Sequence, residues 1–273
     1  MGLLRTIILI SAALVTCTGC DQPMDNQVAE RVKTLVADSD LVFSGTVEKL
    51  GASTMAEISV TDQTAIVNLD EILHAPQSFD PYWTGKRITI QLTDSDSLAA
   101  GDSAVFFAAS WIFGSSLAVR EVGHIAFKGA VGQVRLAMPE ALEELADDAL
   151  AKRLESAMLV LVGEVQVTQR APDNVRLGRV TEHYPDWWEA TISISSVVLG
   201  EYGDAEIRIL YPNSSDVIWV RSPKFEKGQQ GIWVLRHERI EGFSTGDYLT
   251  ALDPLDFHTL DELERIERIA LSR

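Results

Sequence analysis

The sequence has very few of the residues that build covalent or metal-dependent chemistry. Its 273 residues include only two cysteines, Cys17 and Cys20, and its five histidines show none of the paired spacings that metal sites use. It also lacks the Gly-x-Ser-x-Gly elbow of hydrolases, a phosphate-binding loop and the dinucleotide-binding glycine pattern. The residues therefore predict a non-catalytic protein with no metal and no cofactor.

Positive charge is also scarce. The chain has 23 lysines and arginines against 40 aspartates and glutamates, which gives a net charge of −17 at pH 7. Such a field repels phosphate backbones and anionic lipid headgroups. The charge argues against nucleic acid as a ligand, and it favours acyl chains over a basic surface as the means of membrane attachment.

The apolar run near the N-terminus, residues 7–15, is shorter than the ~20 residues that a membrane span needs. It follows Arg5 and precedes Gly19 and Cys20, so this segment resembles the signal of bacterial lipoproteins. In that family the cysteine becomes the first mature residue and carries acyl chains. The resemblance implies a signal over 1–19, a lipidated Cys20 and a tether over 20–24. Cleavage before Cys17 is disfavoured by Thr16, while an ordinary signal cut between residues 13 and 19 is the alternative.

The lipoprotein resemblance also implies where the protein resides. The mature chain would be exported and anchored to a lipid bilayer through acylated Cys20, on the periplasmic side, and Asp21 favours the inner membrane. With Cys20 acylated, the mature chain could form no disulfide. A chain of this size can bury about 70–75% of its unfolded surface, so the hydrophobic core can suffice without one.

The chain contains an internal repeat. Residues 36–47 match residues 154–165 at an offset of 118. The match continues in the same order, with 65–69 against 190–194, 87–92 against 206–211, and 101–107 against 228–234. The offset changes only where turns intervene, as loop insertions between two copies of one fold would produce.

Each copy contains short, alternating, β-branched runs separated by turn residues, which predict about five strands. The fifth strand is expected near 117–121 and near 246–252. Three helices are predicted, one capped by Asp25, one opened by Pro139, and one started by a capping box of Thr259 and Glu262. The predicted fold is mainly β with flanking α-helices, arranged as two tandem five-stranded barrels over 25–138 and 139–273, each with an accompanying helix.

Gly45 and Gly163 occupy the same place in the first strand of each copy, where glycine is expected only if the backbone bends or approaches another chain segment closely. Together with the motifs at 40–47, 72–73, 98–101 and 196–200, they make each copy resemble an OB-type barrel. The nearest family is the netrin-like domains of the tissue inhibitors of metalloproteinases. The resemblance covers roughly 36–137 and 154–256.

The sharpest local feature is the segment 182–188, which contains His183, Tyr184, Trp187 and Trp188 in the first interstrand loop of the second copy. In barrels of this type that loop borders the usual ligand face. Strand alternation predicts that Trp188 points inward and Trp187 outward, with Tyr184 and His183 nearby. Exposed aromatic side chains favour contact with a partner. The alternative is that both tryptophans pack beneath the loop.

Three classes of function are compatible with these features. The first is a non-catalytic, membrane-tethered lipoprotein that binds another envelope protein or ligand, with His183, Tyr184 and Trp187 in the contact. The second is a metalloprotease inhibitor, as the netrin-like resemblance implies, which would need a free amine on Cys20. The third is an envelope hydrolase using His183 with Asp186 or Glu189, which requires those groups to converge around a pocket.

Overall fold

The computed structural model describes residues 26–113, 116–172, 183–238 and 248–272. The lipidation site predicted at Cys20, the proposed signal and Asp25 lie outside these ranges. The chain divides into two compact units, one ending at Ala141 and the other beginning at Leu142. None of the helices within the described ranges is long and apolar enough to span a membrane.

The first unit contains a closed five-stranded barrel. After helix α1 (Asn26–Val36) come five strands, β1 (Leu41–Leu50), β2 (Thr64–His74), β3 (Arg87–Gln91), β4 (Ser103–Phe113) and β5 (Leu117–Ile125). They close in the order β1-β2-β3-β5-β4, with β3 and β5 parallel and all other neighbours antiparallel. The five-stranded barrel predicted for the first copy is confirmed.

The barrel closes because alternate residues of every strand are apolar and meet inside it. Phe43 and Phe106 stack there with ring centroids 5.3 Å apart, and Leu69, Ile88 and Ile90 are fully buried around them. Full burial of one such side chain stabilises a fold by roughly 1.5–3 kcal/mol. The alternating pattern that marks these residues as strands also supplies the core.

The second unit forms a six-stranded half-barrel. Its strands are β6 (Leu159–Arg170), β7 (Trp187–Leu199), β8 (Glu206–Pro212), β9 (Gln230–Leu235), β10 (Leu249–Thr250) and β11 (Phe257–His258), in the order β10-β8-β7-β6-β9-β11. The helix α2 (Ala130–Glu155) precedes them, and α3 (Leu263–Leu271) follows.

The second sheet departs from the prediction of a closed five-stranded barrel. Over the described residues, two pairs of residues replace one long fifth strand: β10 pairs in parallel with β8, and β11 pairs with β9. Between them Pro254 opens a short 3₁₀ turn that Asp253 caps through the amide of Leu255. Thr250 of β10 also forms an isolated bridge with Arg236, the residue that follows β9.

The strand pairing of the two sheets is equivalent at the repeated positions. The β1–β2 pair has irregularities at Val42/Phe43, Ser44/Gly45 and Val47/Lys49. The β6–β7 pair has irregularities 118 residues later in every case, at 160/161, 162/163 and 165/167. The first two strands of each copy therefore share one register, including its bulges.

Both strand glycines lie at close backbone approaches, as predicted. A Cβ atom on Gly45 would lie 2.6 Å from Val67 Cγ1 and 2.8 Å from the carbonyl oxygen of Asn68. A Cβ atom on Gly163 would lie 2.7 Å from Ile192 Cγ2 and would meet the carbonyl oxygen of Ser193. Glycine is required because no side chain fits between these bulged strands.

Two helix starts differ from the prediction. Pro139 lies inside α2, which begins at Ala130, because Val134, Ala137, Met138 and Ala141 already form a buried i, i+3, i+4, i+7 stripe. Thr259 makes no capping hydrogen bond through its side chain; it precedes a 3₁₀ turn, and α3 starts only at Leu263. The predicted capping box is therefore wrong.

Candidate functional site

The described part of the 182–188 segment begins at His183, and its aromatic residues differ in exposure. His183 is exposed and Tyr184 is half-buried. Trp187 is buried, with 1% of its surface exposed to solvent. The expectation that Trp187 presents an exposed ring to a partner is wrong.

Strand alternation predicts the directions of both tryptophans correctly but misses what covers Trp187. Trp188 packs against the core of the half-barrel, as expected. Trp187 points to the other face of the sheet, where Ala171 and Leu210 form a second buried cluster with it, flanked by Tyr248 and Leu252. The outer face of β7 is therefore a covered apolar surface at this position.

The segment 183–188 is attached to the loop that follows β8. The amide of Asn213 donates to the carbonyl of Asp186 at 3.1 Å, and Trp219 Nε1 donates to the carbonyl of His183 at 2.9 Å. The rings of Trp187 and Trp219 lie 6.2 Å apart. These contacts hold the two loops together as one surface.

Asp216 organises the second of these loops. Its Oδ1 accepts from the amide of Ile218 at 2.9 Å, and its Oδ2 lies 3.0 Å from His183 Nδ1. The hydrogen bond from the backbone amide of Ile218 has the largest effect in lowering the pKa of Asp216, and the hydrogen bond with His183 lowers it further. The carbonyl of Asp216 also accepts from the amides of Trp219 and Val220.

The far end of this loop is fastened by Lys224. Its Nζ donates to the carbonyls of Trp219 at 2.9 Å and Ser222 at 3.1 Å. Burial lowers the pKa of this amine. The turn over residues 216–221, which we call the apolar turn, is therefore held by hydrogen bonds at both ends.

The apolar turn presents three aliphatic side chains to solvent. Val217 is 79% exposed, Ile218 55% and Val220 57%. Single exposed apolar residues are ordinary, but a contiguous group on a fixed turn is a candidate interaction surface. The sequence signal was a run of four apolar residues, 217–220, bounded by Asp216 and Arg221 inside a loop.

The acidic groups proposed for a hydrolase each have a separate partner. The buried carboxylate of Glu189 accepts from Tyr248 Oη at 2.7 Å and from Gln169 Nε2 at 2.9 Å. Asp186 accepts from Trp188 Nε1 at 3.3 Å, and the ring of His183 contacts Asp216. Burial, then the bond to Glu189, raises the pKa of Tyr248. These contacts stabilise the fold around β7.

Metal binding has no preformed site in the ranges that the structure covers: no group of three or more histidine, cysteine, aspartate or glutamate side chains is placed to hold an ion there. In the comparisons with known proteins, no protein-family model matches the chain, and no curated protein matches it. The apolar turn, with the adjoining His183 and Tyr184, is the candidate functional site.

Proposed function

We propose that this chain is a non-catalytic binding protein that is tethered to a membrane and holds another exported protein through the apolar turn. The observation that carries the proposal is the exposure of Val217, Ile218 and Val220 on a turn whose backbone is fixed. A fixed turn loses little conformational entropy on binding, so more of the free energy of burial appears as affinity.

The surroundings of the turn favour a protein as the partner. The apolar side chains lie between an acidic residue, Asp216, and a basic one, Arg221. An apolar centre with a polar rim is the usual anatomy of a protein interface. An anionic bilayer is disfavoured as the partner of this surface, because the chain carries a net charge of −17. Burying one fully exposed valine or isoleucine contributes roughly 1.5–3 kcal/mol, so the three side chains can supply part of the free energy of such a contact.

The tether rests on the resemblance of residues 1–20 to a lipoprotein signal. Acylated Cys20 would anchor the chain on the periplasmic side, at the inner membrane if Asp21 acts as a retention signal. One acyl chain alone binds membranes weakly, whereas several anchor stably.

We also propose that the two units are diverged copies of one OB-like barrel related to the netrin-like domains. The strand order β1-β2-β3-β5-β4, the parallel β3–β5 pair, and the matching bulges 118 residues apart support this relation. The half-barrel would then be the copy whose fifth strand was divided by the turn at Pro254.

Site-specific photo-crosslinking in intact cells tests the binding function. A photoreactive residue replaces Val217, and the same residue at Tyr82, which is exposed in the first unit, serves as the control. We expect a protein adduct from position 217 only, and its loss when Ile218→Asp is added. The identified partner should then bind the purified chain at least about tenfold more weakly with Ile218→Asp. No adduct, or adducts with lipid alone, would refute the proposal.

Intact mass and membrane fractionation test the tether. We expect a mature form that starts at acylated Cys20, sediments with membranes, and is lost when Cys20→Ala is introduced. A soluble chain with a free amine on Cys20 would refute the anchor. That result would instead favour metalloprotease inhibition, which should then be assayed directly.

A further inference from the structure

The first unit contains a cleft that the proposed protein contact does not use. It has a volume of about 690 Å³, within the ~300–1,000 Å³ range of ligand sites. Its walls are residues of β1, β2 and β4, of the chain between β3 and β4, and of the segment 126–131, where α2 begins. The side chains that matter for binding are Ser44, Asp70, Ser97, Asp102, Ser103 and Phe127.

The polar groups of the cleft are fixed by hydrogen bonds to their neighbours. Asp70 Oδ2 accepts from Thr46 Oγ1 at 3.0 Å, and Asp70 Oδ1 accepts from Asn68 Nδ2 at 2.8 Å. The hydroxyl of Thr46 also lies 3.0 Å from that of Ser103. Asp102 Oδ2 accepts from the amide of Ala99 at 2.7 Å. Each carboxylate still has lone pairs for a ligand, since an ionised carboxylate accepts about four hydrogen bonds.

Phe127 supplies an apolar surface beside these groups. It is 45% exposed, and it also lines a neighbouring groove of about 490 Å³ with Gln27, Arg31 and His124. Exposed aromatic rings bury a large area on binding at little entropic cost. A ligand that lies against Phe127 can therefore extend from the cleft into the groove.

The lining selects a class of ligand. Within the cleft, two carboxylates, Asp70 and Asp102, outnumber the one amine, Lys128, which disfavours an anion there. The guanidinium of Arg31 lines the neighbouring groove instead. The hydroxyls and carboxylates together offer donors and many acceptors at close range. We propose that the cleft binds a carbohydrate, whose hydroxyls bond to Asp70, Asp102 and Ser103 and whose C–H face covers Phe127. This inference goes beyond the proposed protein contact and is independent of it.

Calorimetric titration of the full chain tests the inference, in a detergent without a sugar headgroup. The probes are chitotetraose and maltotetraose, which differ in the N-acetyl groups and in the β or α configuration of their glycosidic bonds, and citrate is the anionic control. We expect at least one oligosaccharide to bind with a dissociation constant of about 1 mM or below, and citrate not to bind. Phe127→Ala should weaken binding by about tenfold, and Phe127→Tyr should retain it.

The matched control is Tyr82→Ala, which removes another exposed aromatic ring of the first unit, 63% exposed and outside the cleft. It should leave the affinity unchanged. Circular dichroism shows whether each variant is folded, and Ser103→Phe, which fills the cleft from an exposed strand position, provides a second test. The inference is refuted if neither oligosaccharide binds, if citrate binds instead, or if the folded Phe127→Ala and Ser103→Phe variants bind as the parent does. None of these results affects the crosslink expected at position 217.

Discussion

Replacing Arg153 with methionine would leave the buried carboxylate of Asp256 without its cation. In the second unit, Arg153 Nε donates to Asp256 Oδ1 at 2.6 Å and its Nη2 donates to Asp256 Oδ2 at 2.5 Å. The Asp256 side chain is fully buried, and it accepts further bonds from the amides of Leu252 and Asp253. Removing one member of a buried pair costs about 3–5 kcal/mol, so we expect Arg153→Met to lower the free energy of unfolding by that amount at pH 7.

The cost should depend on pH. Burial raises the pKa of Asp256, and its bonds with Arg153 oppose the rise. An acid whose pKa is raised in the folded state stabilises the fold below its unfolded pKa, about 3.9, and that contribution is lost as the pH rises through the folded-state pKa. Without Arg153 the folded-state pKa rises further. The destabilisation by Arg153→Met should therefore be smaller at pH 4, where Asp256 is protonated more readily, than at pH 7.

Urea unfolding followed by tryptophan fluorescence measures both quantities. The matched control is Arg135→Met, which removes an ion pair of 2.6 Å between two exposed side chains, Arg135 and Glu71. Exposed pairs contribute about 0–1 kcal/mol, so the control should change little. A second variant, Arg153→Met with Asp256→Leu, should recover part of the loss because it leaves no buried charge. A cost below about 1 kcal/mol at pH 7, or an equal cost at both pH values, would refute the reasoning.

Three further predictions concern packing and charge. Gly163→Ala should lower the free energy of unfolding by about 1–3 kcal/mol, because its Cβ would meet the backbone of β7, whereas Gly203→Ala, with open space at its Cβ, should not; urea unfolding compares them. Trp187→Ala should lower the melting temperature through the loss of about 3–5 kcal/mol, while Val217→Ser should leave it nearly unchanged because that side chain is exposed. Burial opposes the ionisation of Glu121, but hydrogen bonds from the neighbouring imidazole and threonine lower its pKa. Its stabilisation is therefore present above the unfolded pKa and lost as the pH falls through the folded-state value, so Glu121→Gln should flatten the acid limb of a melting-temperature profile. An unchanged acid limb would contradict this assignment.

Strand positions were predictable because burial alternates along a strand. The repeat matched Gly45 with Gly163 from sequence alone, and the two bulged pairs lie at these positions. A local alternating pattern and a glycine at a fixed place carry this information without knowledge of the rest of the fold. The closed barrel of the first unit was predictable for the same reason.

The features that were missed depend on residues distant in sequence. Trp187 was correctly directed away from the core, but its cover comes from Leu210 and Tyr248, which alternation along β7 cannot reveal. The strand β11, which pairs with β9, follows the turn at Pro254, and Asp256 in that turn is buried against Arg153, 103 residues away. The exposure of the apolar turn does not follow from the sequence, because a run of apolar residues in a loop is equally compatible with side chains packed into the core.

The buried pair of Arg153 and Asp256 has a consequence for biosynthesis. The two residues lie 103 positions apart, so the ribosome makes the cation long before the anion. Until Asp256 emerges, collapse of α2 onto the half-barrel would bury a guanidinium that Glu238 contacts at 3.2 Å but that lacks its buried two-point partner, which is unfavourable. A nascent chain that stops before Asp256 should therefore stay open and sensitive to proteases, and only a chain carrying its final segment should become resistant.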